Sequence, residues 1–230
     1  MKNDGFFDVT TQCITQEISY RKIPVLKENL RYPVFSPKDI RFERVLMRMN
    51  AFYKSAAERY SRFCGKTLSR KAYSNKNKTG RLLDAVMNYS VSYCDENYIC
   101  VIVDVSGNDG GNAFGTRFAH TWSVEKALVL PVSHFIKTDR ASVAYLRELV
   151  LENVRKNSRN PAFGYYGDCE KRMRQAFSVN NFCILPRGIA FYTDPGVLSD
   201  VRYGPSVFVV PKERADGVVK VENGKLKMES

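Results

Sequence analysis

The run Tyr98–Val105, YICVIVDV, is apolar on both faces of an extended chain, interrupted only by Asp104. A strand wetted on one side alternates polar and apolar residues; one buried on both sides does not. This run therefore reads as a central strand, and the chain has to be assembled around a sheet. It is also the longest apolar stretch. It falls far short of the roughly 20 residues that cross a bilayer as a helix, so no membrane span is expected.

The neighbouring segments supply the sheet and its cover. Before the run, AVMNYSVSYC is β-rich, and Asp95-Glu96-Asn97 between the two has the chemistry of a hairpin turn. After it, the Gly107–Asn112 loop connects to Thr116–Val124, which alternates as a third strand. Gln12–Tyr20 alternates as well, while Pro24 and Pro33 predict that any strand in Lys22–Phe35 is short or lies at an edge. Ser36-Pro37-Lys38-Asp39 is a helix start, with Ser36 as cap and Pro37 at the first helical position. The helix that follows keeps Phe42, Val45, Leu46, Met49, Phe52, Tyr53, Ala56, Tyr60 and Phe63 on one stripe, to about Cys64 with Gly65 as its stop. Such a stripe reads as core rather than as a cofactor site.

A second amphipathic helix begins at Thr138-Asp139 and carries Val143, Leu146, Leu149, Val150 and Val154. A shorter basic one follows Asp168. Three strands, 182–185, 188–192 and 206–211, complete the pattern, separated by Pro-Arg-Gly and Asp-Pro-Gly turns. The predicted class is α+β, an antiparallel meander sheet with two main amphipathic helices packed on it. Residues 1–11 are expected to be a flexible N-terminus and 12–211 a single domain, divisible into sub-lobes 12–112 and 113–211. Residues 212–230 form a polar tail, at most a hairpin over Asn223-Gly224.

Charge narrows function less than fold. Thirty-six Lys and Arg against 24 Asp and Glu give +12, a field that attracts nucleic acid, anionic lipid, anionic glycan or acidic protein. Part of the excess lies in 66–81, read as a mobile basic loop with Lys66, Arg70, Lys71, Lys76, Lys78 and Arg81, and part in Lys171, Arg172 and Arg174 near Tyr165 and Tyr166. Those residues are the candidates for polyanion binding, where phosphate contact and stacking would combine, although no nucleic-acid motif accompanies them. The first residues lack the apolar core of a signal peptide, so the sequence as it stands implies a cytoplasmic protein. Six cysteines occur in no CxxC, which predicts buried thiols and no zinc site; Cys94 and Cys100, flanking the hairpin turn, are the best disulfide candidates.

From Phe182 to Pro211 the run F-x5-G-I-A-F-Y-x-D-P-x6-R-Y-G-P-x4-V-P is similar to the domain that closes RsiV-type anti-sigma factors, matched at Phe182, Gly188, Ile189, Phe191, Tyr192, Pro195, Tyr203, Gly204, Val209 and Pro211. Upstream, Lys126, Leu128, Leu130 and Phe135 match the same family's turn and helix entry, with His134 where the family has Asp. Tyr32-Pro33 before the long helix is similar to the opening of its companion domain, found also in peptidoglycan deacetylases. The resemblance implies an extracytoplasmic, non-catalytic bacterial module that binds a protein ligand, lysozyme. This chain departs from the family in having no sigma-binding segment, no membrane helix and a strongly basic charge. Lysozyme is itself basic and like charges oppose encounter, so lysozyme sensing is not carried over.

The expected function is accordingly a binding or sensing module for a protein or cell-wall glycan, with Asp109, Arg117, His120, Trp122, Tyr192 and Tyr203 as candidate ligand contacts and no cofactor. Non-specific polyanion binding is the first alternative. A cell-wall hydrolase is the second, with His120 as general base beside Asp104 or Asp109, activating Ser106 or Cys100. The sequences around His120 and His134 match no hydrolase motif and no short metal-ligand spacing, so neither a catalytic centre nor a metal site is expected.

Overall fold

A computed structural model of the chain describes residues 5–76, 82–215, 217–222 and 225–226. Its elements in chain order are β1 (Phe7–Tyr20), β2 (Ile23–Pro37), α1 (Ile40–Phe63), α2 (Ser69–Lys76), β3 (Leu83–Cys94), β4 (Tyr98–Asn108), β5 (Ala113–Ser123), β6 (Leu128–Val129), α3 (Arg140–Ser158), α4 (Cys169–Ala176), β7 (Phe182–Leu185), β8 (Gly188–Thr193), β9 (Ser206–Pro211) and the two-residue strands β10 (Val221–Glu222) and β11 (Lys225–Leu226). β1 to β6 form one sheet in sequence order. All its pairs are antiparallel except β2–β3, whose parallel pairing follows from the α1 crossover between them. β7-β8-β9 form a second, antiparallel sheet.

β4 is the central strand its composition requires. It pairs with β3 on one edge and β5 on the other. Ile99, Val101 and Val103 pack with α1, Phe7, Leu30 and Phe35 on one face, and Tyr98, Cys100 and Ile102 pack with α3, α4 and the second sheet on the other. The fold is α+β, layered on both sides of the strand that has no polar face.

Several local expectations change. β1 begins at Phe7, inside the stretch expected to be flexible, because Phe7 is buried against Phe35 and Phe42. β2 is long rather than short: only Leu26–Leu30 pair with β3, so Pro24 and Pro33 lie outside the two-sided part of the ladder, where their missing N–H groups would break it. Ser36 and Pro37 finish β2, and Asp39 caps α1, its carboxylate accepting from the Arg41 N–H at 2.9 Å. Gly65 does not end the helical path. A π-helical turn over Cys64–Leu68 leads directly into α2, so the described part of the expected basic loop is helical. Cys64, Leu68 and Ala72, four residues apart, bury one face of it against Val25, Leu26, Leu83 and Ala85. β5 starts three residues earlier than expected, at Ala113.

Asp139 caps α3 as predicted, accepting from the Ser142 N–H at 3.0 Å. Past Pro211 the chain does not leave the body at once: Ala215 and Val219 are buried, and Ile136 bridges to Val219. β10 and β11 pair across residues 223–224, which lie outside the described residues. None of the six cysteines is in a disulfide. Cys94 stands opposite Ile99 and Cys100 opposite Tyr93, a register that turns the two thiols to opposite faces of the sheet.

Candidate ligand-binding site

At the β4–β5 end of the sheet, the second half of α1 and the strand faces beneath it enclose a cavity of about 490 Å³. β5 supplies Phe114, Thr116, Phe118 and His120, every second residue and hence one face; β4 supplies Val103 and Val105, and β3 supplies Met87. From α1 come Phe52, Tyr53, Ala56, Arg59, Tyr60 and Phe63, at the three- and four-residue spacings of one helical flank. The inner end is closed where Phe52 and Tyr53 meet Trp122 edge-on, with ring centroids 5.4 and 6.3 Å away. The outer end is open: Phe118 is 48% and Phe63 39% exposed. Gly107 permits this geometry, since a Cβ there would lie 2.7 Å from the Phe114 ring. Tyr60 ties helix to sheet by donating to the Ser106 carbonyl oxygen at 2.9 Å.

The polar groups of the cavity are few. His120 lies edge-on to Phe52 and Tyr53, its Nδ1 is buried without a hydrogen-bond partner among the described residues, and burial lowers its pKa from 6.5 to about 4. At neutral pH it is therefore an uncharged imidazole in an aromatic box. Arg59 is exposed and donates to Ser55 Oγ at 2.7 Å. Among the described residues, none that lines the cavity is acidic.

The six residues singled out from sequence do not form one site. Trp122 shares a face with His120 but is core, its indole N–H donating to the buried Tyr53 hydroxyl at 3.0 Å. Arg117 is on the opposite face, bound to both oxygens of Asp104 at 2.7 Å, and its guanidinium lies 6.0 Å from the centroid of the Tyr192 ring. Tyr192 is buried, which raises its phenol to about 12. Asp109 is occupied within its own loop: the N–H groups of Asn112 and Gly111 donate to Oδ1 and hold the carboxyl below its ordinary pKa. Tyr203 is exposed on another element, its ring filling the space beside Gly164. The His120–Asp104 dyad of the hydrolase alternative is not assembled, because Val101 pairs with His120 and Asp104 with Arg117, on opposite faces of the strands. Cys100 is likewise across the sheet from His120, and burial raises its thiol pKa.

Of the basic candidates, Lys66, Arg70 and Lys71 are exposed on the helical segment after α1. Lys76 closes α2, and Lys78 and Arg81 lie outside the described residues. On α4, Lys171 is exposed, but Arg172 is bound to Asp168 at 2.6 Å and stacked 4.5 Å over Tyr166, and Arg174 to Glu148 at 2.9 Å. Among the described residues no three His, Cys, Asp or Glu side chains converge as metal ligands, and no helix is long and apolar enough to cross a membrane.

The site missed from sequence is built from residues of the α1 stripe read as core, together with Arg59, Phe114 and Phe118. The available signal was the alternation Phe114, Thr116, Phe118, His120, which puts four cavity-lining residues on one face.

No family model and no curated protein matches the chain. Solved structures do. A member of the DUF3298 family from Bacteroides fragilis superposes with a TM-score of 0.64 at 12% identity, over 95% of this chain and 95% of that one. The chain shares its fold with DUF3298 proteins. A second, from Pseudomonas aeruginosa, gives 0.59 at 12% identity over 96% of this chain and 98% of its own length. The likeness covers nearly all of both chains, so the α+β arrangement is a known one, while identity this low carries no residue roles across.

Proposed function

We propose that this chain is a non-catalytic binding or sensing module whose ligand, a protein or cell-wall glycan, places an apolar group in the cavity between α1 and β3–β5. The cavity itself carries the reading. It is of the size that small ligand groups occupy, open at one end, and lined by aromatic rings with a few polar groups among them. Two exposed phenylalanines at its mouth leave apolar surface in water that a partner would cover. The resemblance to RsiV-type sensor domains supports a binding role, and the separation of His120 from Asp104 and Cys100 favours binding over hydrolysis. The engagement of Arg172 and Arg174 with acidic neighbours weighs against phosphate-binding by α4.

The test is positional. A photo-crosslinking phenylalanine analogue at Phe118, at the cavity mouth, is compared with the same analogue at Tyr145, exposed on α3. Both are exposed to a bacterial envelope extract and to purified peptidoglycan. Labelling of a defined species from position 118, absent from 145 and abolished by filling the cavity with Ala56→Trp, is the expected result. Equal labelling from both positions, or labelling unchanged by Ala56→Trp, refutes the cavity as the site.

A further inference from the structure

The charge and hydrogen-bonding inventory of the cavity restricts what enters it. Its walls are chiefly Phe52, Phe63, Phe114, Phe118, Met87, Val103 and Val105, the Tyr53 and Tyr60 hydroxyls being bonded to Trp122 and to the Ser106 carbonyl and Thr116 adding one more hydroxyl, a lining that favours an apolar body. His120 adds a polar atom at neutral pH but no charge. The one charged lining residue is Arg59, cationic and exposed. Its guanidinium donates to the Ser55 hydroxyl and has no carboxylate partner among the described residues. The chain as a whole carries +12, which adds a long-range attraction for anions. An apolar interior with an unneutralised cation at its rim complements a molecule with an apolar tail and an anionic head. A cationic head would be repelled by Arg59, and a neutral head would gain no charge-assisted bond from it.

Resting on the reading of this cavity as the site that receives an apolar group, we propose that the group is the alkyl chain of a single-chain anionic amphiphile, rather than one carried on a protein or glycan, lying among Phe52, Phe114 and Phe118 with its head on Arg59. A carboxylate suits the guanidinium because two parallel N–H···O bonds form at once. The probe set is decanoate, decanol and decyltrimethylammonium, three molecules with one chain and three heads, each below its aggregation concentration. Binding to the full chain is measured by calorimetry and by the fluorescence of Trp122, the single tryptophan, whose indole bonds the cavity-lining Tyr53.

Decanoate is expected to bind roughly tenfold or more tighter than decanol, one charge-assisted contact being about that factor, and the ammonium not measurably. Arg59→Gln is expected to bring decanoate down to the affinity of decanol and leave decanol unchanged. Ala56→Trp, which fills the space while retaining Arg59 and is followed by calorimetry alone because it adds a second tryptophan, is expected to abolish both. Equal affinities for decanoate and decanol, or an Arg59→Gln variant that binds decanoate as the parent does, overturn the assignment of the head while sparing the cavity. Failure of all three probes to bind, or binding unaffected by Ala56→Trp, overturns the amphiphile as occupant, while the cavity reading itself is decided by the crosslinking from position 118.

Discussion

Acidification from pH 7 to pH 5 should destabilise this protein through His120. The imidazole has a pKa of about 4 in the folded chain, lowered by burial, against an ordinary 6.5 when unfolded. The unfolded chain therefore takes up the proton first, and protonation favours unfolding. The neutral imidazole's contribution is fully present above pH 6.5 and is lost progressively as pH falls towards 4. Integrating proton uptake between pH 7 and pH 5 for these two values gives about 1.8 kcal/mol, and partial solvent access to the ring reduces the expectation to roughly 1 kcal/mol. The window excludes the perturbed carboxyls: Asp39, Asp109, Asp139, Asp168 and Asp200 all have lowered pKa values and stay ionised there. Urea denaturation followed by circular dichroism at both pH values, on the parent and on His120→Phe, isolates the effect, since His134 is common to both. The parent should lose about 1 kcal/mol more than the variant over this interval. An identical loss in the two proteins would show that His120 is not held neutral by its aromatic surroundings, and the description of the cavity floor would fail with it.

Three further outcomes follow from contacts elsewhere. Trp122→Phe and Tyr53→Phe each orphan the other's buried polar group and should each cost about 1–3 kcal/mol, while the double variant costs clearly less than their sum; additive losses in a denaturation cycle would contradict the bond. Gly188→Ala should lower the thermal midpoint sharply, because φ is +154° and the added Cβ would lie 2.3 Å from the Val210 carbonyl oxygen across the β8–β9 ladder; an unchanged midpoint would refute that geometry. Arg117→Ala should cost about 1.5–3 kcal/mol by removing two bonds to Asp104, and the same change in an Asp104→Ala background should cost less; equal costs would mean the pair contributes nothing.

The central strand, the β3–β4 hairpin, α1, α3 and the three C-terminal strands are legible in the sequence, because each carries a period of two or of 3.6 together with its own turn or cap residues. Misplaced boundaries have local causes. Ser36-Pro37 has the chemistry of a helix start, yet β1 holds these residues in extended pairing and passes the cap to Asp39. The basic stretch after Gly65 reads as aperiodic because its lysines and asparagines outnumber the two apolar positions, Leu68 and Ala72, that continue the face of Cys64 and are buried on β2 and β3.

The cavity illustrates the remaining gap. Alternation places Phe114, Thr116, Phe118 and His120 on one face, and helical spacing places Phe52, Ala56 and Tyr60 on one flank, but neither pattern says whether the two surfaces touch. Near Trp122 they do, and the same residue types become core; towards Phe118 they do not, and those residues line a site. Periodicity and polarity, which are properties of the chain alone, suffice to specify a basic α+β protein with one strand buried on both faces. Tertiary structure decided which face each thiol, acid and histidine occupies, and that is why Cys94 and Cys100 do not pair and His120 has no carboxylate: strand register, a non-local quantity, assigns partners one residue at a time.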